Sequence, residues 1–311
     1  MGRLEDRMRT LGRVAVLVAG ATAALAAVGM AARAGKVTGR PRILGLAGVE
    51  ILSTNATATN LFYGRLVELN GPCNWCESNP YKLIELPSTQ LIGVSSVRGT
   101  PPKDLLESVT FIVDNEKAMK QWLAANNTAV RESSGPYQDR GSYLSVTDPE
   151  GHTIYFRGTN GDKIDYKHMP MIHAGWVVKD RAAMDKFYKD VLGFHVYWSG
   201  GMKDGVTDWV DMQVPDGTDW IEYMLNVPEN ADKHTLGVMN HIALGVPDVR
   251  TAAKELEAKG IKLPGQPKIG RDGKWQLNLY DPDDTRVELM EFAPVEKPCC
   301  AEFTGPHPKR P

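Results

Sequence analysis

The sequence predicts an α+β protein built from four βαβββ modules, paired into two tandem domains. Three observations carry this expectation. One grammar, a short strand, an Asx-type helix start and an amphipathic helix closing on Gly or Asn, recurs in "VTFIVDNEKAMKQWLAANN" (Val109 to Asn127), "GWVVKDRAAMDKFYKDVLGF" (Gly175 to Phe194) and "IALGVPDVRTAAKELEAKG" (Ile242 to Gly260). Each helix is followed by strand-like runs such as "WVDMQVP", "WIEYMLN", "WQLNLYDP" and "RVELMEF". Two strand, Asp-Pro turn, strand segments, "SVTDPEGHTIYF" (Ser145 to Phe156) and "NLYDPDDTRVEL" (Asn278 to Leu289), end corresponding halves of the chain.

In chain order, Arg3, Arg7, Arg9 and Arg13 precede an uncharged run from Val14 to Ala32. A basic stretch followed by an apolar one is expected of a signal peptide or an N-terminal membrane anchor over residues 1–36, with "ARA" at 32–34 offering small residues for cleavage. The body of the protein is then exported, periplasmic or extracellular, or held at the inner membrane by an uncleaved segment. Residues 37–164 are read as the first domain, opening with a degenerate copy of the repeat at Gly48 to Leu69, and 167–294 as the second; 295–311 form a tail. The stretch "NADKHTLG" around His234 reads as a loop between the third and fourth modules. Four cysteines, Cys73 and Cys76 in "CNWC" and the adjacent Cys299 and Cys300, fit disulfides in an exported protein, with three pairings open.

The chain has 311 residues, 42% of them hydrophobic, and a net charge of -2, the profile of a globular protein with no marked partner preference, and no stretch resembles the basic stripe that phosphate backbones require. The expected partner is a small-molecule substrate and, at most, a second copy of the chain as a homodimer. No nucleic acid is expected, and no membrane beyond the N-terminal segment.

The repeat also aligns chemistry. His173 lies in the first strand of the third module and His241 in the first strand of the fourth; Glu222 follows His173 by 49 residues and Glu288 follows His241 by 47. Two modules related by a pseudo-twofold axis would bring these four side chains to one centre. Two imidazoles and two carboxylates suit a divalent first-row ion such as Fe, Mn, Co, Ni or Zn, with positions left for substrate. Because strand side chains alternate, Trp220, Met224, Asn226, Ala243 and Met290 are expected to face the same cavity. Asn278 and Tyr280 join Trp220, Met224, Asn226 and Met290 as candidate substrate contacts.

These residues resemble the vicinal oxygen chelate superfamily, which includes glyoxalase I, extradiol dioxygenases and bleomycin-resistance proteins. The resemblance covers the chain beyond residue 36 and is strongest from His168 to Pro294, where "VKDRAAMDKFYKDVLGF" and "DPDDTRVELMEF" are typical. It implies paired βαβββ modules curling around a metal, with His173, Glu222, His241 and Glu288 as ligands in the pattern of bacterial glyoxalase I. The implied chemistry is that of a lyase or isomerase: a metal-bound enediolate, with Glu222 or Glu288 as the catalytic group moving a proton between adjacent carbons. Val177 stands where glyoxalase I has a glutathione-binding arginine, whereas Asn226 matches its asparagine, so another hydroxy- or dicarbonyl compound is the expected substrate.

An extradiol dioxygenase with Fe(II) on His173, His241 and Glu288 is the alternative. Asn278 stands where that family has a tyrosine, and "KIGRDGK" lacks its histidine. A third reading, a non-catalytic binder of the bleomycin-resistance kind, would use Trp198, Trp209, Trp220, Tyr223 and Trp275 as walls. The first half has no ligands: the repeats set Ser108 opposite His241, Tyr155 opposite Glu288, and Leu46 at or near the position of His173.

Overall fold

The runs of β-branched and aromatic residues form strands that collect into two sheets in the computed structural model, which describes residues 39–67, 83–86, 90–135, 142–159 and 169–309. The first half contains β1 (Ile43–Ser53), α1 (Ala56–Val67), β2 (Leu83–Glu85), β3 (Leu91–Ser96), β4 (Leu106–Val113), α2 (Glu116–Ala125), β5 (Arg131–Ser133), β6 (Tyr143–Thr147) and β7 (Thr153–Gly158). The second contains β8 (Met171–Val177), α3 (Arg181–Asp185, continuing as a π-helical stretch over Lys186–Val191), β9 (His195–Gly200), β10 (Trp209–Gln213) and β11 (Trp220–Met224). It goes on through α4 (Lys233–Met239), β12 (His241–Val246), α5 (Val249–Ala258), β13 (Lys268–Ile269), β14 (Trp275–Tyr280) and β15 (Arg286–Glu291).

The sheet orders are β2-β3-β1-β4-β7-β6-β5 and β13-β14-β15-β12-β8-β11-β10-β9. Within the second sheet β8 and β12 pair antiparallel at the centre, and each takes its own module's last strand as a parallel neighbour, β11 and β15 respectively. The first sheet repeats this plan with β1 and β4 at the centre and β3 and β7 alongside. Its opening module shows two strands after the helix among the described residues, not three.

Asx residues start the helices as the repeat implied. Asn115, Asp180, Asp232 and Asp248 each accept a hydrogen bond from the backbone N–H three residues on, satisfying a donor the first turn leaves open. The cap at Asp232 corrects the loop reading of "NADKHTLG": a seven-residue helix stands there. In both Asp-Pro turns the aspartate caps the turn, Asp148 accepting from Glu150 and His152 N–H and Asp281 from Asp283 and Thr285 N–H.

The two sheets belong to one compact unit, Arg40–Pro311. Buried polar bonds join them. Gln90, fully buried, donates to the carbonyls of Leu46 and Met171 and accepts from Met171 N–H, while Asp219 accepts from Leu46 N–H. Residues 1–38, Cys73, Cys76 and His168 lie outside the described residues; among the rest no helix is long and apolar enough to cross a membrane. Cys299 and Cys300 are disulfide-bonded to each other.

Candidate metal centre

Register brings the candidate ligands onto two neighbouring rungs. On one rung Glu288 pairs with Ala243, which pairs with His173, which pairs with Trp220; on the next, His241 pairs with Gly175, and Gly175 with Glu222. Partners across a strand pair project from the same face, so all four candidate side chains lie on one side of the sheet. Gly175 is required there: a Cβ at this position would come within 2.2 Å of the His241 imidazole.

The donor atoms converge. His173, His241 and Glu288 have ligand atoms all within 4.8 Å of one another, and all three residues are buried. His173 Nε2 lies 3.0 Å from His241 Nε2 and 3.7 Å from Glu288 Oε2. Glu222 falls outside that three-residue set, but its Oε2 is 3.0 Å from His241 Nε2 and 3.6 Å from His173 Nε2. Ligands about 2.0–2.2 Å from a shared ion stand roughly 3–3.5 Å apart, so these separations suit one cation.

The surroundings suit both imidazoles to metal ligation. His241 Nδ1 is 2.9 Å from the Met239 carbonyl, an acceptor that fixes the proton on Nδ1 and leaves the Nε2 lone pair facing the centre. Burial pushes both imidazoles well below their usual range, and the Arg286 guanidinium adds to the effect, so both are neutral at pH 7. Arg286 Nη2 donates to His241 Nε2 at 2.7 Å, using the lone pair a metal would take; that bond and a bound cation are alternatives. Burial raises both Glu222 and Glu288 to about 7.

Around the ligands lies a cavity of about 370 Å³. Trp198, Trp209, Trp220, Met224 and Met290 make its apolar wall, and Asn278, Gln276, Arg286, Lys268 and Arg271 its polar side. Trp220, Met224, Asn278 and Met290 thus line it as expected. Asn226 and Tyr280 do not. Asn226 lies beyond the end of β11 with φ 59°, exposed, donating to Thr207 O and Asp208 Oδ1. Tyr280 packs against His234 with ring centroids 5.6 Å apart. Strand alternation ends where the strand does, which is why the extrapolation to Asn226 failed. Tyr223 points to the opposite face, against Tyr188, and Trp275 lies under the Arg250 guanidinium.

Sequence reasoning missed a second charged layer behind the ligands. Asp211, the cross-strand partner of Glu222, and Asp272 both line the cavity. Lys274, fully buried, holds its Nζ 4.0 Å from Asp272 and 4.6 Å above the Trp220 ring, with Tyr197 and Phe303 each 5.1 Å away. Trp220 in turn lies against His173, with 4.8 Å between ring centroids. The period-two spacing of Trp209 with Asp211, and of Asp272 with Lys274, was the available signal.

Residues 171–289 match the family described as the Glyoxalase/Bleomycin resistance protein/Dioxygenase superfamily. A probable chloroplastic lactoylglutathione lyase of Arabidopsis thaliana is 25% identical over 134 residues, spanning 42% of this chain and 38% of that protein, well under two thirds of its length. Among solved structures, homoprotocatechuate 2,3-dioxygenase of Brevibacterium fuscum aligns with a TM-score of 0.60 at 17% identity, covering 86% of this chain and 83% of the other. The enzyme of the same name from Arthrobacter globiformis aligns at 0.59 and 18%, covering 82% of each. At such identity the likeness establishes the fold: two curled sheets arranged as in the two-domain extradiol dioxygenases.

Proposed function

Taking residues 171–289 as a glyoxalase/bleomycin resistance/dioxygenase superfamily domain, we propose that this chain is a divalent-metal enzyme of lyase or isomerase type, acting on a small substrate with oxygens on adjacent carbons. The observation that carries the proposal is the meeting of four donors from two repeated modules, with Glu222 within 3.6 Å of both histidines. His173, His241, Glu288 and Glu222 would hold the ion, which when bound supplies Lewis-acid polarisation of the substrate's oxygens.

The chain's own groups then do the rest. Trp220, Trp198 and Met290 keep water from the reacting carbons, and Arg286 and Asn278 meet polar substituents. A carboxylate near pKa 7 can both take and return a proton at neutral pH, and both Glu222 and Glu288 have that property. Glu222, the less tightly grouped donor, is the better base: it takes the proton from one carbon at its Oε atoms and returns it to the neighbour.

One observation favours a second reading, extradiol ring cleavage by Fe(II). His173, His241 and Glu288 by themselves make the two-histidine, one-carboxylate face used by such oxygenases. Two experiments test the centre and then separate these readings. Elemental analysis of protein purified without chelator should find about one divalent ion per chain, and His241→Ala or Glu288→Ala should abolish it while Ser108→Ala leaves it unchanged. Equal metal content in all of these proteins would reject the centre. The loaded enzyme should then turn over thiol adducts of methylglyoxal or related hydroxy-ketones without consuming oxygen; oxygen uptake with catechols would replace the isomerase reading by the dioxygenase one.

A further inference from the structure

The first sheet lacks histidines at the matching rungs, but its equivalent face is not apolar. Pairing sets Glu50 opposite Ser108, and Gly93 on the far side of Glu50; Gly48 pairs with Thr110, and Thr110 with Tyr155. Matched rung by rung to the second sheet, Ser108 replaces His241, Tyr155 replaces Glu288, Gly93 replaces Glu222 and Gly48 replaces His173. Leu46, placed at or near that position by the repeats, lies two residues from Gly48, and β1 is irregular between the two. Glu50 stands where the second sheet has Gly175. There the imidazole of His241 forbids a side chain; here the small Ser108 leaves that volume to a carboxylate.

Three buried acceptors on this face have no hydrogen-bond partner among the described residues. Glu50 is 7% exposed; its Oε1 accepts from the Ser95 hydroxyl and its Oε2 from nothing. Ser108 Oγ and Thr110 Oγ1, 2% and 0% exposed, are likewise unpartnered. Burying such groups without a partner costs free energy, so a ligand that supplies donors is favoured. Glu107 is the extra residue of a β-bulge between the Glu50–Ser108 and Ile51–Leu106 pairs, and a bulge turns its side chain toward that of its neighbour. Its exposure, and that of the half-buried Tyr155, open the cluster to solvent. Tyr155 and Tyr143 add two aromatic rings meeting edge to face at 6.1 Å. Arg157 is a buried cation on β7 on the same face; it pairs with Ile112, two residues or roughly 7 Å along from Thr110 and four residues or roughly 13 Å along from Ser108.

We propose that this face of the first sheet binds the primary ammonium group of a small organic molecule, its three N–H donors meeting Glu50 Oε2, Ser108 Oγ and Thr110 Oγ1 and its stem lying along Tyr155. The donor count matches the acceptor count, and aromatic rings attract such a cation. A divalent ion fits less well, since it asks for six or more oxygens and the buried cluster holds one carboxylate. Burial, with Glu107 adding to it, raises Glu50 to about 7, so binding an ammonium there below that pH releases a proton from Glu50.

The test is calorimetric titration of the full-length protein with ethylammonium, tetramethylammonium and calcium chlorides at pH 6.5, in two buffers of different ionisation heat. Saturable ethylammonium binding with proton release, at least tenfold weaker in Glu50→Gln and in Ser108→Val and unchanged in Glu288→Gln, supports the site. Thermal melts check that each variant is folded. No saturation in the wild-type protein, equal binding by Glu50→Gln, equal binding of tetramethylammonium, which has no N–H donor, or binding of calcium alone would each overturn it. Because Glu288→Gln disables the metal centre and leaves this face intact, the two assignments fail separately.

Discussion

At the scale of single residues, the proposed metal centre depends on a glycine as much as on its candidate ligands. Gly175→Ala places a methyl group 2.2 Å from the His241 imidazole, so the ring must leave its position. The expected outcome is a folded protein whose metal affinity falls at least tenfold, read by titration with zinc against a chelating indicator. Affinity equal to wild type would show that His241 does not contribute from this rotamer. The carboxylates set the pH dependence. Glu222 and Glu288 lose their protons near pH 7, against a usual 4.5, whereas both imidazoles are already neutral there. Protons therefore compete with metal at the carboxylates, and affinity is expected to weaken as pH falls from about 8 to about 5.5, approaching tenfold per unit for each carboxylate that must ionise. The same shift makes ionised Glu288 a liability without metal. Its raised pKa contributes stability that is complete below 4.5 and lost as pH rises through about 7. Metal-free Glu288→Gln should accordingly gain on metal-free wild type in thermal stability between pH 5 and pH 8.

At the scale of elements, the last residues act as a strap over the second sheet. Thr304 N–H donates to Tyr197 O, Gln213 donates to Pro306 O, and Cys299 N–H donates to Arg271 O, while the Phe303 ring lies 4.8 Å from that of Tyr197. Phe303 also closes the aromatic enclosure around Lys274. Truncation after Glu296 removes these contacts and lets water reach a fully buried ammonium. A loss of about 1–2 kcal/mol from the phenyl ring alone corresponds to a melting temperature roughly 2–6 °C lower. An unchanged melting curve would show that the strap is not part of the stable structure. The second sheet's first helix tightens the same lesson about local signals: its Asp180 cap was legible, but the π-helical stretch that lets Phe187 and Tyr188 both reach the core was not. Its apolar spacing reads as an ordinary helix; in the fold the wider turn sets Tyr188 against Tyr223 and Phe194.

At the scale of the whole molecule, the two sheets are welded by polar groups that no periodicity announces. Gln90→Leu would leave Leu46 O, Met171 O and Met171 N–H short of a partner in a fully buried position. The expected cost is roughly 2–4 kcal/mol of unfolding free energy, measured by urea denaturation, with metal content per folded chain unchanged. A change below 0.5 kcal/mol would mean that the sheets are held by apolar contact alone.

The amino-acid sequence by itself determined the repeated strand–helix plan, the Asx caps of its three clear copies, both Asp-Pro turns and four side chains that lie together on the second sheet. All of these are local or repeated signals: alternation, an Asx before an amphipathic run, and a histidine and a glutamate at matching places in two copies. Only the tertiary structure decided that Lys274, Asp272 and Asp211 stand behind those side chains, that Asn226 turns away, and that Glu50 occupies the space a histidine takes in the other sheet. Such facts depend on which strand lies beside which and on where a strand ends or bulges, and one shifted residue reverses the face a side chain presents.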